Sequence, residues 1–332
     1  MAQEVLRIDR LDRQLIYALQ IDGRASFRRL AAVLGASEQT VARRYRRLRE
    51  AGAIRVVVMP NPARFEHYWA TRVRVRPPAA VAFAEAIARR DDVAWVGLIA
   101  GGTEVTFVAR ARTVAERDAL LLERLPRSQQ VLDVSAAAVL HRFTGGPDSE
   151  WQGLADRLDD AQIAALTRPP CRPGAGADPL PQDEPLLAAL ARDGRASYAA
   201  LAVETGDNEA RVSRRVDALL SGSALIVDLE VASALLGFPL SAWLWLTVPP
   251  AELDAVGRTI IAHPEVPFAG AISGPANLVA SLIARDTGDL YRYLTQRIGA
   301  IAAIHAVEVA PILRRFKHAG TLMDGLRLPE PS

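Results

Sequence analysis

The sequence predicts an α+β fold: two copies of a helix-turn-helix head, each followed by a βαββαβ body. Three observations carry this reading. Residues 22–54 (DGRASFRRLAAVLGASEQTVARRYRRLREAGAI) read as two helices joined by a short turn. From His67 to Phe143 the apolar pattern runs strand–helix–strand–strand–helix–strand. The chain then repeats itself: DGRAS at Asp22–Ser26 returns at Asp193–Ser197, an offset of 171 residues. A βαββαβ order defines the ferredoxin-like arrangement, an antiparallel sheet with two helices on one face.

The first helix is expected over Leu11–Gln20, with Leu11, Leu15, Ile16 and Leu19 as its apolar stripe and Asp9 as its cap. Ser26 can cap the second helix, which buries Leu30, Ala31 and Leu34. Gly35 can take the positive φ that stops it, and Ser37 can cap the third. In that third helix Val41, Tyr45 and Leu48 fall on one face. Gln39, Arg43 and Arg46 then lie opposite, with Thr40, Arg44 and Arg47 on a flank. An apolar back and an arginine-rich front suit a major groove lined by acceptors and bounded by phosphates. Ile54–Met59 reads as a strand stopped by Pro60 and Pro62.

In the body, His67–Arg76 alternates and reads as a strand, and Pro77–Arg90 as a helix opened by its two prolines. Val93–Ala100 and Val105–Arg112 read as strands joined by the hairpin signal Gly101-Gly102-Thr103-Glu104. Thr113–Arg124 reads as a helix and Val131–Phe143 as the last strand. Trp151–Leu166 has partial helical phase, and Thr167–Asp183 is rich in Pro and Gly and reads as a linker.

The repeat is long. At the first offset Leu15 meets Leu186, Leu30 meets Leu201, Gly35 meets Gly206, Val41 meets Val212 and Arg43-Arg44 meets Arg214-Arg215. Later the offset is 173: Gly97 meets Gly270, Gly101 meets Gly274, and His141-Arg142-Phe143 meets Arg314-Arg315-Phe316. The expected domains are therefore a first head at 5–59 and a first body at 65–144. A connector and linker at 145–181 leads to a second, weakly basic head at 182–230, a second body at 236–317 and a tail at 318–332.

Net charge is only +2, so a nucleic-acid role rests on where charge sits. Lys317 is the one lysine among 40 basic residues. A single cysteine, Cys171, excludes an intrachain disulfide framework. The five histidines show no metal-ligand spacing, so neither a metal nor a cofactor is expected. The start lacks the apolar core of a signal peptide and no run is long enough for a membrane span, which points to the cytoplasm.

The two heads differ. Asp9–Val56 holds eleven basic and five acidic residues, a balance of +6, whereas Leu180–Val227 holds five and seven, a balance of −2. Phosphate neutralisation dominates DNA affinity, so the first head is expected to be the main reader. Arg43 or Arg46 can bind guanine in bidentate fashion, for about 1–3 kcal/mol of discrimination each, and Gln39 suits adenine. Ser37 and Thr40 at the helix N-terminus, and Arg24, Arg28 and Arg29, are candidates for phosphate. In the second head Arg211, Arg214 and Arg215 are the weaker counterparts, and Asp217 stands where the first has Arg46. An arginine run also fits a plain solvated face; the turn, the caps and the repeat favour DNA.

The sequence resembles the Lrp/AsnC family of transcription regulators. The residues carrying the match are Leu11-Asp12, Asp22-Gly23-Arg24, Leu30-Ala31, Gly35, Ser37, Val41, Arg44, Arg47-Leu48, Gly52 and Ile54. The resemblance implies double-stranded DNA as partner, a homo-oligomer (dimer or larger) and a small, amino-acid-like effector held by the body. It places effectors near a Gly-x-x-Asp turn between the second and third strands. Here those turns read Gly101-Gly102-Thr103-Glu104 and Gly274-Pro275-Ala276-Asn277, so Gly101, Thr103, Glu104, Gly274 and Asn277 are the effector candidates. Glu keeps the acidic charge and Asn loses it. Two other classes compete. One is a small-molecule sensor acting through a protein partner. The other is an enzyme resembling the sirohaem decarboxylases, which are similar to this family in fold. These imply a His-x-x-x-Tyr-Asn-x-Trp-type motif near the second hairpin, and GGTEVTFVAR and GPANLVASLI carry neither His nor Trp there.

Overall fold

A computed structural model of the chain describes residues 6–61, 67–143, 151–154, 156–167 and 177–330. In chain order its elements are α1 (Arg10–Ile21), α2 (Phe27–Leu34), α3 (Glu38–Glu50), β1 (Ile54–Pro60), β2 (His67–Val75), α4 (Ala80–Ala88), β3 (Val93–Ile99) and β4 (Glu104–Ala111). Then come α5 (Val114–Asp118), α6 (Leu125–Arg127), β5 (Val131–Phe143), α7 (Asp160–Leu166), α8 (Glu184–Arg192), α9 (Tyr198–Thr205), α10 (Glu209–Ser221) and β6 (Leu225–Val231). The last are β7 (Leu240–Thr247), α11 (Leu253–Ile261), β8 (Phe268–Ile272), β9 (Leu278–Ala284), α12 (Thr287–Arg292), β10 (Ala306–Pro311) and β11 (Arg314–Arg315). They gather into two compact units, neither a consecutive stretch. One holds the described parts of 8–64, 156–232 and 328–332; the other holds those of 1–7, 65–155 and 233–327. Among the described residues no helix is long and apolar enough to cross a membrane.

The helical unit follows its caps. Asp9 and Asp12 form a reciprocal capping box that opens α1. Ser26 accepts a bond from the Arg29 amide to start α2, and Gly35 ends it at φ 63°. Ser37 accepts from the Thr40 amide to start α3. Leu15, Ile16, Leu30, Val41 and Leu48 are wholly buried between these three helices. At about 1.5–3 kcal/mol each, such side chains outweigh any helix propensity. The same element order recurs in α8, α9, α10 and β6, with Ser197 and Asn208 as caps and Gly206 at φ 68°. There Leu190, Leu201, Val216 and Leu219 form the core, joined by Val58 from β1.

β1 and β6 pair antiparallel, from Ile54 opposite Val231 to Pro60 opposite Leu225. A lone two-stranded ribbon is marginal in water; this one is held by the helices on its flanks. The two DGR turns close the arrangement reciprocally. Arg24 donates to the carbonyls of Gly194 and Ala196, and Arg195 donates to those of Gly23 and Ala25. The Arg195 guanidinium also lies over the Phe27 and Tyr45 rings, 4.7 and 5.1 Å from their centroids, and Arg24 lies 5.2 Å over Tyr198. Gly194 is required for this close approach: a Cβ there would sit 2.7 Å from the Val57 carbonyl carbon.

The sheet unit contains two βαββαβ sets. Their strands run β5-β2-β4-β3 and β10-β7-β9-β8, each a 4-1-3-2 order. The fourth strand of each set overshoots onto the other: Val139–Phe143 of β5 pairs with β8, and β11, just beyond β10, pairs with β3. All nine strands therefore form one hydrogen-bonded system. Each overshoot ends in a phenylalanine that enters the neighbour's core. Phe143 packs with Leu244, Ile260 and Leu282, and Phe316 packs with Val93, Phe107 and Leu120. Ile99, Trp243, Trp245, Ile272 and Val279 form a further buried cluster, with Ala137 and Ile312 packed against it.

One sequence expectation is corrected here, and one segment without a sequence reading is found folded. The helix expected at Trp151–Leu166 is confined to Asp160–Leu166, because Asp159 and Gln162 make a capping box that starts it there. Trp151 is buried instead, its ring 4.8 Å from Phe238. The polar tail at 318–332 is folded as far as it is described: Ala319, Thr321 and Leu328 are buried and the Leu328 amide bonds the Gly52 carbonyl. Most of the Pro/Gly-rich linker, residues 168–176, lies outside the described residues.

Candidate nucleic-acid interface and effector region

The Ser37 cap fixes the start of α3, and its hydroxyl also bonds the Thr40 hydroxyl at 2.8 Å. Gln39, Arg43 and Arg46 are exposed along the helix, as the 100° periodicity requires. Among the described residues Arg46 makes one long 3.4 Å contact, from its Nε to the Ala42 carbonyl of its own helix. Arg28 is likewise exposed.

Arg44 and Arg47 are placed otherwise. Asp12 of α1 has a side chain only 1% exposed, and its two oxygens accept from Arg44 at 3.0 Å and Arg47 at 2.5 Å. Arg44 also meets Asp9 at 2.7 Å and is 22% exposed. Burial alone would lower the Arg44 guanidinium, yet the bonds to Asp12 and Asp9 raise it above its ordinary value. Arg44 is thus a clamp between α3 and α1; Arg47, 44% exposed, keeps an outer edge in water. The second trihelical unit repeats the clamp. Arg215 Nε donates to Asp183 at 2.8 Å, and this bond raises the Arg215 guanidinium and lowers the Asp183 carboxyl. Reading Arg44 and Arg215 as DNA contacts is corrected accordingly. So is the phosphate role of two others: Arg24 holds Gly194 and Ala196, and Arg29 holds Asp22 and the Ala165 carbonyl.

On α10 the exposed arginines are Arg211 and Arg214. Arg211 pairs with Asp207 at 3.3 Å, and Asp217 accepts from the Tyr198 hydroxyl at 3.3 Å. The two helices therefore differ in chemistry: among the described residues the exposed Arg43 and Arg46 of α3 have no carboxylate partner, while on α10 Arg211 is paired with Asp207 and Glu209 and Asp217 are exposed beside it.

The effector candidates are taken up by the protein's own groups. Gly101 and Gly102 adopt φ 65° and 91°, and the Thr103 hydroxyl bonds the Ala100 carbonyl at 2.8 Å. Glu104 pairs with Arg72, which also donates to Glu308 at 2.7 and 2.9 Å and lies 4.2 Å over the Trp245 ring. Burial would lower the Arg72 guanidinium, but Glu308 and Glu104 raise it strongly. Gly274 adopts φ 108°. Asn277 accepts from the Val248 amide at 3.0 Å and donates to its carbonyl at 2.7 Å. An amide can do both and a carboxylate cannot, so Asn277 is the residue this turn requires.

A capped trihelical head with an arginine-bearing third helix, set in one chain with 4-1-3-2 sheets, defines a helix-turn-helix protein with ferredoxin-like bodies. Residues 8–49 match the AsnC-type helix-turn-helix domain and residues 241–322 the Lrp/AsnC ligand binding domain. An HTH-type transcriptional regulator of Pyrococcus furiosus is 28% identical over 127 residues, 37% of this chain and 86% of that protein. The regulator FL11 of Pyrococcus abyssi is 25% identical over 117 residues, 34% of this chain and 78% of that one. Among solved structures, the siroheme decarboxylase NirDL superposes with a TM-score of 0.61 at 15% identity, covering 97% of this chain and 96% of that one. At that identity the likeness concerns the fold alone.

Proposed function

We propose that this protein is a sequence-specific DNA-binding transcriptional regulator of Lrp/AsnC type, built by tandem duplication of head and body. The observation that carries the reading is the exposed stripe Gln39, Arg43 and Arg46 on α3, beside a capped N-terminus suited to phosphate. Ser37, Thr40 and the outer edge of Arg47 complete the surface, with Arg28 as a flanking phosphate contact. The trihelical unit around α10 is a second head that has kept the architecture and lost the charge. The boundaries of heads, bodies and linker are those expected from the repeat. The bodies bind a small effector and support a homo-oligomer, in the cytoplasm. One chain offers one arginine-rich reading helix, so two chains suit a repeated or palindromic site.

Selection of duplexes from a random library by the purified full chain tests this. The expected result is enrichment of one sequence, bound with steep salt dependence. Absence of any sequence preference would overturn it. The full-length fold likeness to a siroheme decarboxylase motivates one control: an absorption spectrum unchanged on adding sirohaem is expected.

A further inference from the structure

Among the described residues, several part-buried arginines have carboxylate or carbonyl acceptors, although the Arg44 Nε is left without one. Arg72 and Arg44 each bond two carboxylates, and Arg215 bonds Asp183. Arg24, Arg55 and Arg195 bond backbone carbonyls. Arg142 and Arg315 differ. They occupy equivalent places in the repeat, at the two points where a fourth strand crosses to the neighbouring sheet. Arg315 reaches one hydroxyl, Ser241 Oγ at a long 3.3 Å, and lies 5.8 Å over the Trp95 ring. Arg142 lies 5.5 Å over Tyr68 and 5.7 Å over Phe268; its buried Nε has no partner, a feature it shares with the Nε of Arg44 and of Arg110. Among the described residues neither has a carboxylate within ion-pair distance. Repeat equivalence relates Tyr68 to Ser241 and Trp95 to Phe268, so both crossings share one plan.

We propose that Arg315, Ser241 and Trp95 form a binding site for the carboxylate of a small organic acid, with Arg142, Tyr68 and Phe268 forming its counterpart at the other crossing. A guanidinium has five N–H donors along its planar edge. When an aromatic ring covers its face, the edge remains for a planar, bidentate acceptor, and a carboxylate fits that fork. Burying a cation without an anion is costly. Burial alone already lowers the Arg315 guanidinium to about 10, and a bound carboxylate would reverse that. Arg315 as a whole residue is intermediate in exposure, while its guanidinium end lies in the protein. Trp95 is the strained member: it sits at φ 56° in a bulge between Ala94 and Gly97, its ring 4.3 Å from His318. Non-glycine residues rarely hold such a conformation, and it is met at sites that position a group.

The test needs no DNA, so it stands apart from the regulatory reading. The full-length protein is titrated with acetate and with benzoate at constant ionic strength, following tryptophan fluorescence and thermal midpoint, with inorganic phosphate in parallel. Wild type should respond saturably to a carboxylate and gain thermal stability. Arg315→Met should abolish the larger response, and Ser241→Ala, which removes only a hydroxyl, should weaken binding about tenfold. No saturable response to either carboxylate in wild type would overturn the proposal. So would an unchanged response in Ser241→Ala, or a response to phosphate alone.

Discussion

Replacing Arg43 and Arg46 together by alanine should cut DNA affinity far more than replacing Arg211 and Arg214. Each arginine charge removed from the phosphate-lined groove takes up to about 0.9 off the slope of log affinity against log salt, so the first pair should flatten it by at most about 1.8. A guanine contact adds about 1–3 kcal/mol per arginine, so affinity should fall at least about tenfold. In the second pair Arg211 is already tied to Asp207 at 3.3 Å, an exposed pair of little worth. The surrounding window is net acidic, and affinity should change by no more than about threefold. Arg44 and Arg215 are left intact because removing a clamp to a buried carboxylate would unfold the head and mimic a binding defect. Fluorescence anisotropy with a selected duplex over several salt concentrations reads both slope and affinity. Equal losses of affinity for the two pairs, or equal changes in slope, would refute the asymmetry.

Three further outcomes are expected. Asp183→Asn should cost about 2 kcal/mol at neutral pH by weakening the Arg215 clamp. The Asp183 carboxyl lies below its ordinary value, so its contribution is complete above about pH 4 and is lost as pH falls through the depressed value. Acid denaturation followed by circular dichroism should accordingly be flatter for the variant, and an unchanged acid limb would count against the clamp. Phe316→Ala should destabilise the first body by about 3–5 kcal/mol although it lies far along the chain, and chemical denaturation with hydrogen exchange over β3 and β4 should show it. Gly194→Ala should cost about 1–3 kcal/mol, since its Cβ would meet Val57 backbone 2.7 Å away; a variant as stable as wild type would disprove the close approach.

Local features of the fold were legible in the sequence. Ser26, Gly35 and Ser37 cap as their chemistry requires, because a cap depends on only a few neighbouring residues. The repeat likewise announced both βαββαβ orders. What escaped was every partner defined by the backbone or by long-range pairing. Arg24 looks like a phosphate ligand until its acceptors are seen to be the Gly194 and Ala196 carbonyls, which no side-chain pattern records. Arg44, Arg47 and Asp12 carried the family resemblance, yet their pairing across two helices is a matter of packing. The connector at 151–159 has the apolar content of a helix, and tertiary burial of Trp151 overrides it. Arg142 and Arg315 did leave a sequence signal, the recurrence of an Arg-Phe pair at the end of each fourth strand, but its meaning depends on where those strands cross.

The exchanged phenylalanines also bear on how the chain is made. A ribosome releases the first body well before Phe316 and β11 exist. At about 5–20 residues per second the wait is on the order of ten seconds or more. During that interval the nascent β3 edge has no neighbour and the core around Phe107 lacks its last ring. The final stretch of translation thus acts as a latch, closing a coupling of the two halves that the β1–β6 ribbon and the β5–β8 crossing have begun.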